Sequence, residues 1–161
     1  MTFSDSYLKK RCGEIEHLIS EALAWSSTNE KLGAQLAAYI SVLITGVIED
    51  CVEYLFTQRV LKITDKEVEH YVLKVISERF RNPTYSSIAG LLKEFSSDYQ
   101  DIFKAKISHD GKEATALESV VDNKNSLAHI GTIKLQMTIS EINDYYQRII
   151  PILETVETIL I

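Results

Sequence analysis

The segment from Lys124 to His129, KNSLAH, concentrates residues that can hold or move charge. A histidine changes its protonation state near neutral pH and can transfer protons, whereas a lysine carries a positive charge that attracts anions. Asn125 can donate and accept hydrogen bonds. The same residues also fit a solvated helix end, because a His in the last helical turn complements the helix dipole. Two interpretations therefore stay open for this segment: a functional site and a polar helix end.

Helical geometry divides the side chains of this region into an apolar and a polar face. At about 100° per residue, the polar stripe contains Glu118, Asp122, Asn125, Ser126 and His129. Lys124 projects instead into the apolar face, about 140° from His129 on an ideal wheel. A lysine in that position must extend to water or reach a partner charge across an interface. We therefore expect the helix that carries Lys124 to contact something besides its own core.

The composition indicates one soluble globular domain. The chain has 161 residues, and its 45% hydrophobic and 25% charged residues are ordinary values for a folded protein. This length suits one domain better than two. The formal net charge of −6 argues against an overall electrostatic attraction to nucleic acid. A local basic site, or one assembled between two chains, remains compatible with that charge.

The sequence predicts neither an export signal nor a metal site. The chain begins without the apolar run of a secretory signal, and its most hydrophobic stretch, Leu36–Ile48, is shorter than the roughly 20 residues that span a bilayer. Cys12 and Cys51 form no CxxC pair, and the His residues are scattered, so we expect no disulfide framework and no zinc site. We expect a cytoplasmic protein that contacts no membrane and needs no cofactor.

Apolar residues recur at three- and four-residue steps along most of the chain, which predicts an all-α fold. We expect an antiparallel helical bundle of about five long helices plus one or two short ones. The predicted helices are Ser4–Ser26, Ala34–Arg59, Thr64 or Asp65 to Arg81, Tyr85–Phe95, Asp98–Ile107, Glu113–Ile130 and the segment from Thr138 onward. The second is apolar nearly all round until Glu49 and should be central. In the last, Thr138 and Glu141 match a capping box, and Pro151 should bend the helix rather than end it.

The segment Lys124–Gly131, KNSLAHIG, resembles the signature of the HEPN superfamily. That signature is an Arg, commonly followed by Asn, and then a His after a short spacer, here residues 125–128. LAAYISVLITGVIEDCVEYLF resembles the family's long central helix, with Glu49 and Asp50 at its acidic position. NPTYSSIAGLLKEF and TISEINDYYQRIIPILETVETIL suit the branch related to RiboL-PSP proteins. The resemblance extends from about Leu32 to the C-terminus, and we expect residues 1–161 to form a single HEPN-like helical domain.

The resemblance implies roles for four residues. Proteins with the intact signature resemble metal-independent ribonucleases, in which two copies of the motif face each other across one cleft of a homodimer. His129 would then move protons, Lys124 would bind the phosphate, and Asn125 would orient the His or bind a phosphate oxygen. Glu49 should project towards the motif and orient His129 or Lys124. Lys124 departs from the family's Arg, and lysine lacks the planar fork that binds a phosphate through two hydrogen bonds.

The resemblance therefore implies an endoribonuclease that cleaves single-stranded RNA, in bacterial defence or a toxin–antitoxin pair. The expected partners are RNA, a second copy in a C2 homodimer with the helix Glu113–Ile130 in its interface, and an antitoxin or defence protein. The alternative is a noncatalytic HEPN-like module or scaffold that binds a protein, RNA or nucleotide in the same cleft. A purely structural helical protein is a third class, and it would place no special demand on His129.

Overall fold

The structure is a computed structural model that describes the backbone of residues 2–26, 30–130 and 137–161. The side chains of Ser26, Glu30, Lys31, Arg79 and residues 128–130 also lie outside the described part. The regular structure in these ranges consists of helices and contains no strand: α1 Ser6–Ser26, α2 Glu30–Val60, α3 Lys66–Arg79, α4 Tyr85–Phe95, α5 Ser97–Lys106, α6 Lys112–Ile130 and α7 Ile139–Leu160. The predicted all-α helical bundle is confirmed.

Helix α2 lies at the centre of the bundle, as its nearly continuous apolar character predicts. It contacts α1, α3, α6 and α7, and Ile44, Leu55 and Phe56 on it are completely buried. The helix begins at Glu30 rather than at the predicted Ala34, and Gly33 is buried within it. Tertiary packing there outweighs the cost of about 1 kcal/mol for a glycine in a helix interior.

The apolar part of α2 is longer than the stretch considered from the sequence. By length and composition alone, Leu32–Val60 could cross a membrane, although half of its most apolar window is buried inside this structure. Ser41 and Thr45 are completely buried in this part of the helix. Their hydroxyls donate to the carbonyl oxygens of Ala38 at 2.7 Å and Ser41 at 2.9 Å. These satisfied hydroxyls and the four neighbouring helices favour a core helix.

Local sequence signals account for several helix ends. The Asp65 carboxylate accepts from two backbone amides of the first turn of α3, as expected for an N-cap residue. Thr138 and Glu141 form the predicted capping box at the start of α7, which continues through Pro151. Helix α3 ends at Arg79 rather than at the predicted Arg81, so the connection to α4 is longer than expected.

The N-terminal segment is fastened to α7 by a buried carboxylate. Glu157 is 6% exposed, and one of its oxygens accepts from the backbone amides of Ser4 at 2.9 Å and Asp5 at 2.7 Å and from the Ser4 hydroxyl at 2.8 Å. Asp5 in turn caps α1 by accepting from the amide of Tyr7 at 2.7 Å. These bonds fix the start of α1 and hold Tyr7 and Arg11 beside α2.

Candidate functional site

Lys124 lies half-buried on α6 and is held by a neighbouring loop. Its Nζ donates a hydrogen bond to Oδ1 of Asn82 at 2.9 Å, in the connection between α3 and α4. The sequence predicted that this lysine reaches water or a partner charge. Among the described residues its hydrogen-bond partner is a neutral amide, which leaves the positive charge of Lys124 uncompensated by that contact.

The connection that carries Asn82 is anchored on both sides. Phe80 and Pro83 are buried, and the Asn82 carbonyl accepts from the Thr84 amide at 2.8 Å and the Ser87 hydroxyl at 2.6 Å. These contacts fix the backbone of residues 80–84 beside α6. The backbone of the exposed Asn82 is therefore held beside α6, where its side-chain oxygen accepts from Lys124.

Two residues of the predicted polar stripe on α6 do not lie on a solvated face. The Glu118 side chain is half-buried and accepts from the Tyr85 amide at 3.0 Å, a second contact between α6 and the start of α4. Ser126 is 7% exposed, and its hydroxyl donates to the Asp122 carbonyl at 2.8 Å. A local hydrogen bond allows Ser126 to be buried, whereas Glu118 is held at the edge of the bundle by its contact with the start of α4.

A buried asparagine sets the rotation of α6, and the sequence analysis missed it. Asn123 is 1% exposed, and its Nδ2 donates to the buried Ser41 hydroxyl of α2 at 3.0 Å. Its Oδ1 has no hydrogen-bond partner in the described part of the chain. Asn123 faces the core, and the next two residues of the helix, Lys124 and Asn125, turn away from it and are half-buried. Only the pairing with Ser41 across the bundle identifies this residue, and no local pattern reveals it.

Glu49 of α2 lies within electrostatic range of Lys124. Burial raises the pKa of the half-buried Glu49 carboxyl, and the positive charges of Lys124 and Arg81 oppose that rise. The Lys124 ammonium is nevertheless bonded to Asn82, and among the described residues Glu49 forms no hydrogen bond with it. The structure therefore brings Glu49 and Lys124 near each other, while the orienting role of Glu49 stays a prediction.

Arg81 joins Lys124 and Glu49 in one charged cluster, because its positive charge also acts on Glu49. The sequence patterns did not identify this residue. The residue is exposed and directly precedes Asn82. Burial and the charge of Glu49 raise the pKa of Glu53, one helical turn along α2, and the charge of Arg81 opposes that rise. Arg81 thus acts on both Glu49 and Glu53. The residues before Pro83 were predicted to belong to a helix end, so nothing in the sequence placed this arginine beside α6.

Asp50, the second acidic residue in this part of α2, is engaged elsewhere. Its Oδ2 accepts from the Tyr7 hydroxyl at 2.7 Å and from Nε of Arg11 at 2.9 Å. The hydrogen bond to Asp50 and burial raise the pKa of Tyr7 to about 12. Of the two acidic residues at the family's position, Asp50 is thus hydrogen-bonded to α1, whereas Lys124 is among the charges that act on the pKa of Glu49.

His129 and Asn125 are related by helical spacing. His129 belongs to α6, but its side chain lies outside the described residues, as does Gly131. Asn125 and His129 stand four residues apart in this helix, a spacing that places two side chains on one face. Of the predicted catalytic set, Lys124, Asn125 and His129 are thus carried by α6, and Glu49 is carried by α2.

The clefts beside the first half of α6 are less suitable for a phosphate. One cleft of about 590 Å³ is bordered by Asp110, Glu118 and Asp122 and also by Ser86, His109, Thr115 and Ser119. Three carboxylates in one cleft repel an anion at neutral pH. The cluster of Lys124, Arg81, Glu49 and Glu53 has two cations for two carboxyls, and burial raises the pKa of both carboxyls, so this cluster is the better candidate.

Comparison with known proteins adds one match. The family model RiboL-PSP-HEPN matches residues 6–161. No curated protein and no solved structure matches the chain. Because the family match spans nearly the whole sequence and agrees with the all-α bundle, the chain belongs to the RiboL-PSP-HEPN family of the HEPN superfamily.

Proposed function

We propose that the protein is a metal-independent endoribonuclease that cleaves single-stranded RNA at the motif Lys124–His129. Membership of the HEPN family supports a nuclease-like or related HEPN-type module. The observation that carries the finer proposal is the position of Lys124, half-buried at the end of α6 and bonded through Nζ to the neutral Asn82 amide. A lysine held in this way keeps its charge available for a phosphate.

The proposed reaction needs a base, an acid and a cation. One His129 removes the proton from a ribose 2′-hydroxyl, and the 2′-oxygen attacks the adjacent phosphorus. The bond from phosphorus to the 5′-oxygen breaks, and a protonated His129 donates a proton to that leaving oxygen. The products are a 2′,3′-cyclic phosphate and a 5′-hydroxyl. Lys124 stabilises the negative charge that builds on the phosphate oxygens, and Asn125 orients the histidine or binds one of those oxygens.

Two copies of the motif supply both the base and the acid. A C2 axis near the end of α6 would bring two His129 and two Lys124 into one pocket, since each contact in such an interface occurs twice. The surface of α2 supports this arrangement, because Tyr39 and Val42 are exposed apolar residues, and the exposed Gly46 continues their stripe towards Glu49. We therefore propose that α6 and this stripe of α2 form a homodimer interface.

Cleavage of single-stranded RNA in the presence of EDTA tests the proposed activity. The wild type should cut the RNA without added metal, and the His129→Ala variant should lose that activity. Circular dichroism of both proteins provides the control for folding. Intact RNA after incubation with the folded wild type, or equal cleavage by the His129→Ala variant, would contradict the proposal.

Light scattering at micromolar concentration tests the homodimer. The wild type should have the mass of two chains, and Tyr39→Glu should shift it towards one chain by placing a charge in the interface. Ile102→Glu is the matched control, because Ile102 is an exposed apolar residue on α5, away from the proposed interface. A monomeric wild type, or dissociation by both variants alike, would count against the two-copy site.

The noncatalytic module is the second candidate, and Lys124 at the family's Arg position favours it. Lys124→Arg separates the two, because arginine restores the planar fork that binds phosphate through two hydrogen bonds. An endoribonuclease should keep or raise its activity in this variant. If the wild type and Lys124→Arg both leave RNA intact, the module is the better description, with an antitoxin or defence protein as the proposed partner.

A further inference from the structure

The cluster around Lys124 contains a second cation, Arg81, whose backbone is anchored. Arg81 lies between the buried Phe80, whose amide caps α3 by bonding to Ile76, and Asn82, whose carbonyl accepts two hydrogen bonds. Its neighbours hold its backbone, while its own side chain is exposed. Arg81 thus presents an exposed guanidinium from an anchored backbone, and its charge acts on Glu49 together with that of Lys124.

We propose that Arg81 is a phosphate-binding residue of this site and supplies the guanidinium that the motif lacks at position 124. The inference rests on the proposed function and specifies how the substrate backbone is held. Asn82 links the two cations, since its Oδ1 binds Lys124 and its backbone continues directly from Arg81. One phosphate, or two successive phosphates of a single strand, would contact both side chains.

Among the described residues, neither cation forms an ion pair within 4 Å. The ion pairs within 4 Å in the described part of the chain involve other cations, among them Arg11, Lys66, Lys74 and Arg148. Glu49 and Glu53 act on Arg81 from farther away, and their burial raises the pKa of both carboxyls. These carboxylates therefore attract Arg81 towards α2 without occupying its guanidinium, and a phosphate oxygen can displace water there.

Salt-dependent binding tests this role without relying on cleavage. The probe is a single-stranded 2′-deoxy oligonucleotide, which lacks the attacking hydroxyl, and fluorescence anisotropy gives its affinity at several salt concentrations. Each phosphate that a protein neutralises on a single strand adds roughly 0.7 to the slope of log affinity against log salt. Arg81→Ala and Lys124→Ala should each reduce the slope by about 0.7 for every phosphate that the variant no longer neutralises. Arg81→Lys should keep the slope, because the charge remains.

Arg148→Ala is the matched control for the loss of one positive charge. Arg148 lies on α7, where its guanidinium pairs with Asp144 at 2.6 Å, and its removal should leave the salt slope unchanged. If Arg81→Ala also left the slope and the cleavage rate unchanged while Lys124→Ala lowered both, the role of Arg81 would be overturned and the endoribonuclease would stand.

A charge-conserving exchange tests the need for a guanidinium. Arg81→Lys should cut RNA more slowly than the wild type, and Arg81→Lys combined with Lys124→Arg should recover much of the lost rate. If the double variant cut RNA no faster than Arg81→Lys, the claim that a guanidinium at position 124 can replace the one at position 81 would be wrong. If the wild type bound the oligonucleotide but left RNA intact, the nuclease proposal would fall and the salt slope alone would decide the role of Arg81. A wild type that neither bound nor cut would overturn both proposals.

Discussion

Glu49 and Asp50 are neighbours on α2, yet their surroundings differ completely. Asp50 accepts hydrogen bonds from Tyr7 and Arg11 of α1, and the Tyr7 ring stacks on Tyr54 with centroids 4.3 Å apart. Glu49 is half-buried and accepts no hydrogen bond from the described residues, while Lys124 and Arg81 act on it only through charge. The acidic residue on one side of the helix is hydrogen-bonded to its neighbours, and the acidic residue on the other side has no such bond among the described residues.

This difference distinguishes charged residues that hold the helices together from charged residues that are available to bind a ligand. On the Asp50 side, each polar group satisfies another and fastens α1 to α2. On the Glu49 side, two cations act through charge on two half-buried carboxyls, and the described residues form no ion pair within 4 Å there. Carboxyls whose pKa is shifted in this way are common at functional sites. The side that faces α6 is therefore where substitutions should change activity, and the side that faces α1 is where they should change stability.

The largest expected effect distinguishes the two sides by activity. His129→Ala removes the proposed proton-transfer group and should slow RNA cleavage by about 10²–10⁴-fold. Asp50→Asn, on the opposite side, should leave the cleavage rate unchanged. Cleavage rates measured under identical conditions with EDTA check this expectation. Similar losses in the two variants would show that the distinction between the sides is wrong.

Lys124 should give the second largest effect. Lys124→Ala removes the charge proposed to stabilise the developing phosphate charge, and the cleavage rate should fall by about 10²-fold or more. Affinity for single-stranded oligonucleotide should fall as well, whereas Lys124→Arg should keep or raise the rate. Stability should change by about 0.5 kcal/mol or less, as for other surface substitutions. A Lys124→Ala variant with full activity would remove this residue from the site.

Asp50→Asn should affect stability instead. Hydrogen bonds to a charged group contribute about 1.5–3 kcal/mol, but the Arg11 and Asp50 side chains are 33% and 42% exposed, which reduces the contribution through solvent screening. We expect a loss of about 1 kcal/mol in the free energy of unfolding. Urea denaturation at neutral pH measures it, and an unchanged midpoint would contradict a structural role for Asp50.

Glu49→Gln should give the smallest change, with the opposite sign. Burial raises the pKa of Glu49 above its ordinary value of 4.5, so the folded state binds this proton more tightly than the unfolded state. The resulting stabilisation is complete below the ordinary pKa and is lost as pH rises through the folded-state pKa. The glutamine variant should match the wild type at acidic pH and exceed its stability at neutral pH by about 0.5 kcal/mol or less.

The same variant sharpens the functional side of the comparison. If Glu49 orients Lys124 or His129, Glu49→Gln should slow cleavage although it stabilises the fold. Urea unfolding and cleavage rates measured on one preparation test both effects. If the variant were more stable but cut RNA at an unchanged rate, the effect of burial on Glu49 would be supported and its orienting role would be excluded.

The sequence predicted the fold well because its signals were local. Apolar spacing identified the helices, and the caps at Asp65 and Thr138 depend on side chains within one helical turn. The end of α3 and the start of α2 were less accurate, since packing decides whether a helix continues through a residue such as Gly33.

The candidate site could be predicted only in part. Lys124, Asn125 and His129 belong to one short segment, so their shared helix follows from spacing. Asn82 and Arg81 lie 42 and 43 residues before Lys124 in the numbering, and their approach to α6 depends on how α3, α4 and α6 pack. Asn123 reaches Ser41 in the same nonlocal way. Sequence periodicity carries no information about such pairings.

The chemistry of the cleaved ends tests the central claim most directly. Single-stranded RNA is incubated with the wild type in EDTA, and the products are identified by mass spectrometry beside those of His129→Ala. The proposed mechanism predicts 2′,3′-cyclic phosphate, or the 3′-phosphate formed by its hydrolysis, together with 5′-hydroxyl ends. It also predicts no cleavage at a position that carries 2′-deoxyribose. Products with 5′-phosphate ends, cleavage at the 2′-deoxy position, or intact RNA would contradict the assignment of this face as a metal-independent ribonuclease site.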